Sequence, residues 1–479
     1  LPKPWPDRGA GAIAMNLAKL RNPSVVGPTV HAPHKGMSRV GLLLTPLIVL
    51  LLVLGFDRSW RTTGERSPQA VEMPKLGVGP RSYPQAIDGA DKAVAFARER
   101  VLGGPDQWLL QESLAGALMG RFRLAGNYDD LLDAERALME ARAHAIAQSG
   151  PIMSEAVFAM TTHRQDRALV ALERLNHSAV PAEADDMANA LAIEGDVAFY
   201  RGDMAAARAK YLASEKLDGG ASATYRWAVL AKAQGDFPRA LSQFSKAAQS
   251  RLGVAPFSVA SAALQFGAVE LARGDTHAAE RWFIAADRAF PGFWLTQAHL
   301  AQARAIDGDL PGAITRMRGV AERSGSAEAM DALAMLLRAQ GTRDESRLWA
   351  ARADALWHKR LGQQPEAAYG HALEHELVFG TPERALDLAS RNLAARPFGE
   401  SRLLMASALL MNGRTNSALD QLALAERSGW RSAPLYALRA QALELAGHAA
   451  DAEAARKQAQ AFNPHVFEPA TSLVWFSHG

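Results

Sequence analysis

The sequence predicts an all-α fold: an α-solenoid of stacked helix-turn-helix repeats with an N-terminal hydrophobic anchor. Three observations lead there. A glycine returns every 33 to 39 residues along the C-terminal two-thirds of the chain, small residues recur at fixed offsets on either side of it, and the apolar content is dominated by alanine. Hydrophobic residues make up 48% of the chain and aromatic residues only 7%, the composition of helices packed closely on small side chains. At 479 residues the chain is longer than one hydrophobic core usually organises, which favours an array that grows by stacking.

Charge and cysteine content narrow the function classes. A formal charge of +3, with basic residues spread among acidic ones, gives no nucleic-acid footprint. The absence of cysteine excludes disulfides, thiolate metal sites, a cysteine nucleophile and a lipid-modified cysteine anchor, and it leaves the compartment open.

The N-terminal elements come first. Residues 1–36 begin with Leu1 and carry Pro2, Pro4, Pro6, Pro23, Pro28 and Pro33 without apolar period, so they read as a disordered or mis-assigned extension, with Met37 as the alternative start. Within 37–56, the run Gly41 to Phe56 is free of charge and bounded by Arg39 and Asp57, which reads as a signal-anchor or transmembrane helix. No small-x-small cleavage site follows it, and Trp60 suits a membrane interface. Arg39 precedes the run while Arg58, Arg61 and Arg66 follow it, so the positive-inside count does not fix the side. The position of an apolar segment so near the start favours export, with the repeat region in the periplasm and the anchor in the inner membrane. Release into the periplasm or medium after cleavage is the alternative. Residues 57–84, with Pro68, Pro74, Pro80 and Pro84, read as a flexible tether.

The repeats follow. Gly202, Gly235, Gly274, Gly308, Gly341, Gly380, Gly413 and Gly447 are spaced at 33, 39, 34, 33, 39, 33 and 34 residues. Each is read as closing one helix in the left-handed conformation, and the following Asp203, Asp236, Asp275, Asp309, Thr342 or Thr381 as capping the next. Small residues stand seven before and five after the glycine, as in Gly195 with Ala207, Ala228 with Ala240 and Gly267 with Ala279, where two helices of one unit touch. A larger knob at the ninth position, such as Tyr211, Phe244, Phe283, Met317 or Leu422, is expected to fill the gap toward the next unit. Pro291, Pro397 and Pro464 stop second helices. The two intervals of 39 call for an extra half-turn or longer loop near Leu252 to Pro256 and Trp357 to Gln364. Residues 85–187 read as degenerate helical repeats, 188–465 as eight clear ones, and 466–479 as a C-terminal tail.

These residues resemble the tetratricopeptide repeat family over 188–465. The resemblance implies that the first helices of successive units line a concave groove that binds protein or peptide partners. Carried onto this sequence, the groove positions include Phe199, Tyr225, Lys232, Leu264, Leu271, Gln302, Met335, Arg338, Glu374 and Ser407. Phe199, Tyr225, Leu264 and Leu271 would form an apolar stretch for an extended or helical segment. For any single position, packing against the neighbouring unit is an equal reading. The paired Lys and Asn positions by which some relatives clamp a terminal carboxylate are not reproduced.

One enzymatic pattern competes. His371-Ala-Leu-Glu374-His375 matches H-x-x-E-H, in which two histidines on one helical face hold zinc and a glutamate acts as base. Repeat register already accounts for this helix, and no accompanying domain is recognisable. The expectation is therefore a non-enzymatic scaffold, membrane-anchored or alternatively a cytoplasm-facing adaptor, with no cofactor, no metal, no nucleic acid and no evident small-molecule substrate.

Overall fold

A computed structural model describes residues 77–220, 223–249 and 255–472. The apolar run 41–56 lies outside them, and among the described residues no helix is long and apolar enough to cross a membrane. The regular structure described is helical throughout, with 21 α-helices and a 3-10 turn at Pro469–Ser472.

A lone helix, α1 (Tyr83–Gly103), precedes ten antiparallel pairs. The first five are α2 (Trp108–Ala125) with α3 (Tyr128–His144), α4 (Ile152–Thr161) with α5 (Gln165–Leu175), α6 (Ala184–Tyr200) with α7 (Met204–Asp218), α8 (Thr224–Ala233) with α9 (Phe237–Gln249), and α10 (Pro256–Ala272) with α11 (Thr276–Ala289). The second five are α12 (Trp294–Ile306) with α13 (Leu310–Ser324), α14 (Ala327–Gln340) with α15 (Arg343–Gln363), α16 (Pro365–Phe379) with α17 (Pro382–Ala395), α18 (Gly399–Met411) with α19 (Thr415–Arg427), and α20 (Ala433–Leu445) with α21 (Ala449–Phe462).

The turn chemistry explains the boundaries. Gly202 has φ 79° and Gly235 has φ 72°, the left-handed region that glycine enters cheaply. The Asp203, Asp275 and Asp309 carboxylates then accept from backbone N–H groups three residues on, at 2.9 Å each, and so cap the second helices. Two turns differ from the expectation. Gly380 has φ −92° and ψ −153°, extended backbone without left-handed character, and Thr342 makes no side-chain cap.

In the α6–α7 and α10–α11 units the small positions let the helices touch. A methyl group on Gly195 would lie 2.4 Å from the Tyr211 ring, and one on Gly267 would lie 2.2 Å from the Phe283 ring. The large knob of the second helix therefore rests on the glycine of its own unit. It also reaches onward: Tyr211 meets Trp227 at 5.6 Å between ring centroids, Phe244 meets Phe266 at 6.2 Å, and Phe283 stacks on His299 at 4.6 Å. The knob thus fills the gap toward the next unit as expected and also seals the seam within its own. Ala240 and Ala279 are fully buried where the helices of a pair meet. Ala240→Trp and Ala279→Trp are each expected to cost about 1–3 kcal/mol by overpacking. Denaturant titration checks this, and parent-like midpoints for both would remove these positions from the seam.

The longer spacing before Gly380 is taken up in helix and not in a loop. Helix α15 runs for 21 residues, and its added turns carry Trp357 and Arg360 inward. The Trp357 indole N–H donates to Asp331 at 2.8 Å.

The stack coils so far that late units meet early ones. The Tyr83 N–H donates to the Pro291 carbonyl at 3.0 Å, and the Trp294 indole to the Leu124 carbonyl at 3.1 Å. The Tyr128 hydroxyl donates to the Ala367 carbonyl, 239 residues away in sequence, at 3.2 Å. Arg164 joins Glu135 at 2.5 Å and Gln364 at 2.7 Å. Further along, Phe398 packs on Phe199 and Tyr200, and the Arg431 N–H donates to the Ala233 carbonyl at 2.9 Å. The turn glycines serve here a second time: a methyl on Gly202 would lie 2.9 Å from the Pro397 carbonyl oxygen, and one on Gly235 would lie 2.3 Å from the Phe462 ring.

Candidate functional site

Because the coil closes on itself, the first helices of many units face one shared interior. Helices α2, α6, α10, α12, α16 and α18 all contribute side chains to a cavity of about 400 Å³. The end of α17 and the turn before α5 complete it through Arg396 and His163.

The walls divide by chemistry. Phe257, Phe293, Leu264 and Leu295 form an apolar side. Arg396 lies over the Tyr200 and Phe398 rings at 5.7 and 5.5 Å from their centroids, so its charge rests on aromatic faces. Its Nη2 donates to the Asn392 side-chain oxygen at 3.3 Å, and its Nη1 lies 3.4 Å from His163 Nδ1. Both partners are neutral. Asn392 in turn donates to the Ser401 hydroxyl at 3.1 Å.

Burial and neighbouring charge tune the ionisable groups. Desolvation, reinforced by Arg396, holds the His163 imidazole well below its ordinary pKa, which suits an acceptor role for Nδ1. Desolvation lowers Arg396 in the same way, and lowers Lys232 although Glu400 works against it. The Glu400 carboxyl is pushed up by desolvation and by Glu374, against the pull of Arg396, Lys232 and His371. For His371 burial favours the neutral ring, but the hydrogen bond to Glu374 at 3.2 Å together with the charges of Glu374 and Glu328 outweighs it, and its pKa is raised. The His371 side chain is 38% accessible, yet that surface opens into the coil.

The groove positions expected from sequence do not form one continuous strip. Leu264 and Glu374 line the cavity. Phe199 is buried, wedged against Phe398 and Trp430 in the contact between turns of the coil, and is structural there. Tyr225 remains 44% exposed with its ring edge-on to Phe244, and desolvation pushes its hydroxyl up to about 12. Leu271 is half-buried, and its carbonyl accepts from Asn463 at 3.4 Å. Gln302 is buried against His299 at 3.0 Å, and Ser407 is buried with its hydroxyl donating to the Leu403 carbonyl. Met335 is half-buried, and Arg338 lies over the Phe379 ring while donating to the Val378 carbonyl at 3.2 Å. The proposed apolar stretch fails because the second turn of the coil covers Phe199.

The H-x-x-E-H residues point to separate partners. His371 Nδ1 meets Glu374, whereas His375 is buried with its Nδ1 2.7 Å from Asp331, which also holds Trp357. Among the described residues, the grouping of potential metal ligands is elsewhere, at His277, Glu280 and Asp307 near the surface.

Ten stacked pairs with a glycine turn, small seam positions and first helices facing inward settle the architecture. The fold is tetratricopeptide-like. Among solved structures the chain is similar to a tetratricopeptide repeat protein from Parabacteroides merdae, at 15% identity and TM-score 0.33, covering 53% of this chain and 98% of that one. It is similar to yeast Tom70 at 14% identity and TM-score 0.40, covering 78% and 88% of the respective chains. It is also similar to human IFIT1, solved as a dimer with m7Gppp-AAAA, at 12% identity and TM-score 0.35, covering 81% and 98%. No family model matches the chain, and no curated protein matches its sequence.

Sequence reasoning missed Arg396, His163, Tyr200 and Glu400. Their signal was present only in part: Arg396-Pro397 stands at a helix end, where repeat register looks for a stop and not for a binding group. What brings these residues together is the pitch of the coil, which no single repeat encodes.

Proposed function

We propose that this chain is a non-enzymatic protein-interaction scaffold, held at the inner membrane by residues 41–56 with its tetratricopeptide-like coil in the periplasm. The observation that carries the scaffold reading is the inward orientation of the first helices, which concentrates polar, aromatic and apolar groups on one interior face. Partner segments are read by that face and its rim. Tyr225 is the anchor, because a half-exposed aromatic in contact with Phe244 offers ring surface at little entropic cost.

The topology is tested by reporters fused after Gly479 and by deleting 41–56. Activity of a periplasmic reporter and release of the deletion variant from membranes support the anchor, and activity of a cytoplasmic reporter instead overturns the periplasmic placement. Partners cross-linked to the protein in native membranes supply the ligand for a second test. Tyr225→Ala is expected to weaken partner binding by about 1–2 kcal/mol with a smaller loss of stability. A variant that loses several kcal/mol of stability and still binds normally once folded assigns Tyr225 to the core.

A further inference from the structure

We propose that the interior cavity is a small-molecule site for a zwitterion of the α-amino-acid type, either a free amino acid or a di- or tripeptide with apolar side chains. This stands on the cavity itself and does not rest on the scaffold reading. Arg396 carries the argument. Its guanidinium sits on two aromatic faces and touches only the neutral Asn392 and His163, and among the described residues no carboxylate lies within 4.0 Å of it. Its Nε is buried without a hydrogen-bond partner. A cation withdrawn from water with only the more distant Glu400 and Glu374 to offset it still lacks a direct anionic partner.

The opposite charge is present in the same cavity and also lacks a direct partner, although Arg396, Lys232 and His371 act on it from a distance. Glu400 lines the wall and makes no hydrogen bond or ion pair with the described residues, and its carboxyl pKa is raised by desolvation and by Glu374. A ligand bringing a carboxylate to Arg396 and an ammonium to Glu400 relieves both costs at once. Arg123, which also lines the cavity, adds a second cation, and the apolar remainder formed by Leu264, Phe257, Phe293 and Leu295 suits an apolar side chain. A volume of about 400 Å³ lies within the range of small-ligand pockets and bounds the occupant to a few residues.

The test uses the purified full-length chain in detergent and follows melting temperature and calorimetric titration. The probes are leucine, phenylalanine, Leu-Leu and Phe-Leu-Leu, each compared with its N-acetylated form and its C-terminal amide, and with inorganic phosphate. At least one free zwitterion is expected to raise the melting temperature and bind, with either blocked form weaker by about tenfold or more. Comparing amino acids with peptides tells the two sources apart. Glu400→Gln should abolish the preference over the N-acetylated form and Arg396→Gln the preference over the C-terminal amide, and Arg396→Lys should restore part of the latter. If Arg396→Gln does not fold, Glu400→Gln carries the test alone. The proposal is overturned if no zwitterion binds, if blocked forms or phosphate bind as well as free ones, or if the glutamine variants keep the preference.

Discussion

Arg360→Met is expected to destabilise the protein by about 1.5–3 kcal/mol at neutral pH, the cost of losing a charge-assisted hydrogen bond to Glu328, whose carboxylate stays partly accessible. Arg360 is buried, donates to Glu328 at 2.8 Å and to the Gly126 carbonyl at 3.4 Å, and lies 4.7 and 4.8 Å over the Tyr128 and Trp357 rings. It thus ties the extension of α15 to the first pair of the coil. Methionine keeps much of the side-chain volume, so the loss reads charge more than packing. The pH dependence separates the two further. Desolvation acts to raise Glu328, but Arg360, His371 and the hydrogen bonds from Ser326 and a backbone N–H together outweigh it, and the carboxyl is held below its ordinary pKa. In the parent, this pair contributes stability that is present above the unfolded carboxyl pKa and is lost as pH falls through the lower folded one. In the variant, desolvation acts unopposed by Arg360, Glu328 takes up a proton more readily, and the difference from the parent should shrink on acidification. Adding Glu328→Gln to Arg360→Met should recover a large part of the loss at neutral pH. Denaturant titrations of the parent, single and double variants decide it, and a single variant as stable as the parent at neutral pH would falsify the ion pair as a clasp.

How far sequence carries can be traced residue by residue. The turn glycines, the aspartate caps and the small seam positions are local, and each acts within about a dozen residues of itself, so Gly202, Asp203, Gly195 and Ala207 could be assigned from spacing alone. Phe199 was misplaced for a different reason. Its register does put it on a first helix, but whether such a side chain faces a groove or a second turn of the coil depends on superhelical pitch. Pitch accumulates from small rotations at every seam, and its outcome appears only where residues some two hundred positions apart meet, as at the Pro397 carbonyl and Gly202. The same applies to the cavity. Arg396 and His163 are 233 residues apart, and neither belongs to a pattern that repeats. Pro397 shows both kinds of information in one residue, since its role in stopping α17 is local and its contact with Gly202 is not.

His299 is expected to make the fold sensitive to acid. It is 2% exposed, stacked on Phe283 with an interplanar angle of 12°, and its Nδ1 faces the Gln302 side-chain oxygen at 3.0 Å. Desolvation lowers its pKa to about 4, with Gln302 opposing and Lys232 reinforcing, so the ring is neutral in the folded protein at neutral pH. In the unfolded chain it titrates near the ordinary histidine value of about 6.5. Between these two values the unfolded state binds the extra proton, so stability must rise with pH across this window. The contribution is fully present above about pH 6.5, declines as pH falls, and is lost on passing through about 4, for a total of roughly 3 kcal/mol. His299→Gln removes the titration while keeping a polar side chain at the seam between the α10–α11 and α12–α13 units. The variant starts less stable at neutral pH because it loses the ring stacked on Phe283, and its stability should then fall less steeply than the parent's between pH 6.5 and 4. Denaturant midpoints measured at several pH values across that interval test the slope. Parallel pH profiles for parent and variant would mean that His299 protonates without cost in the fold, which a ring buried between two units does not allow.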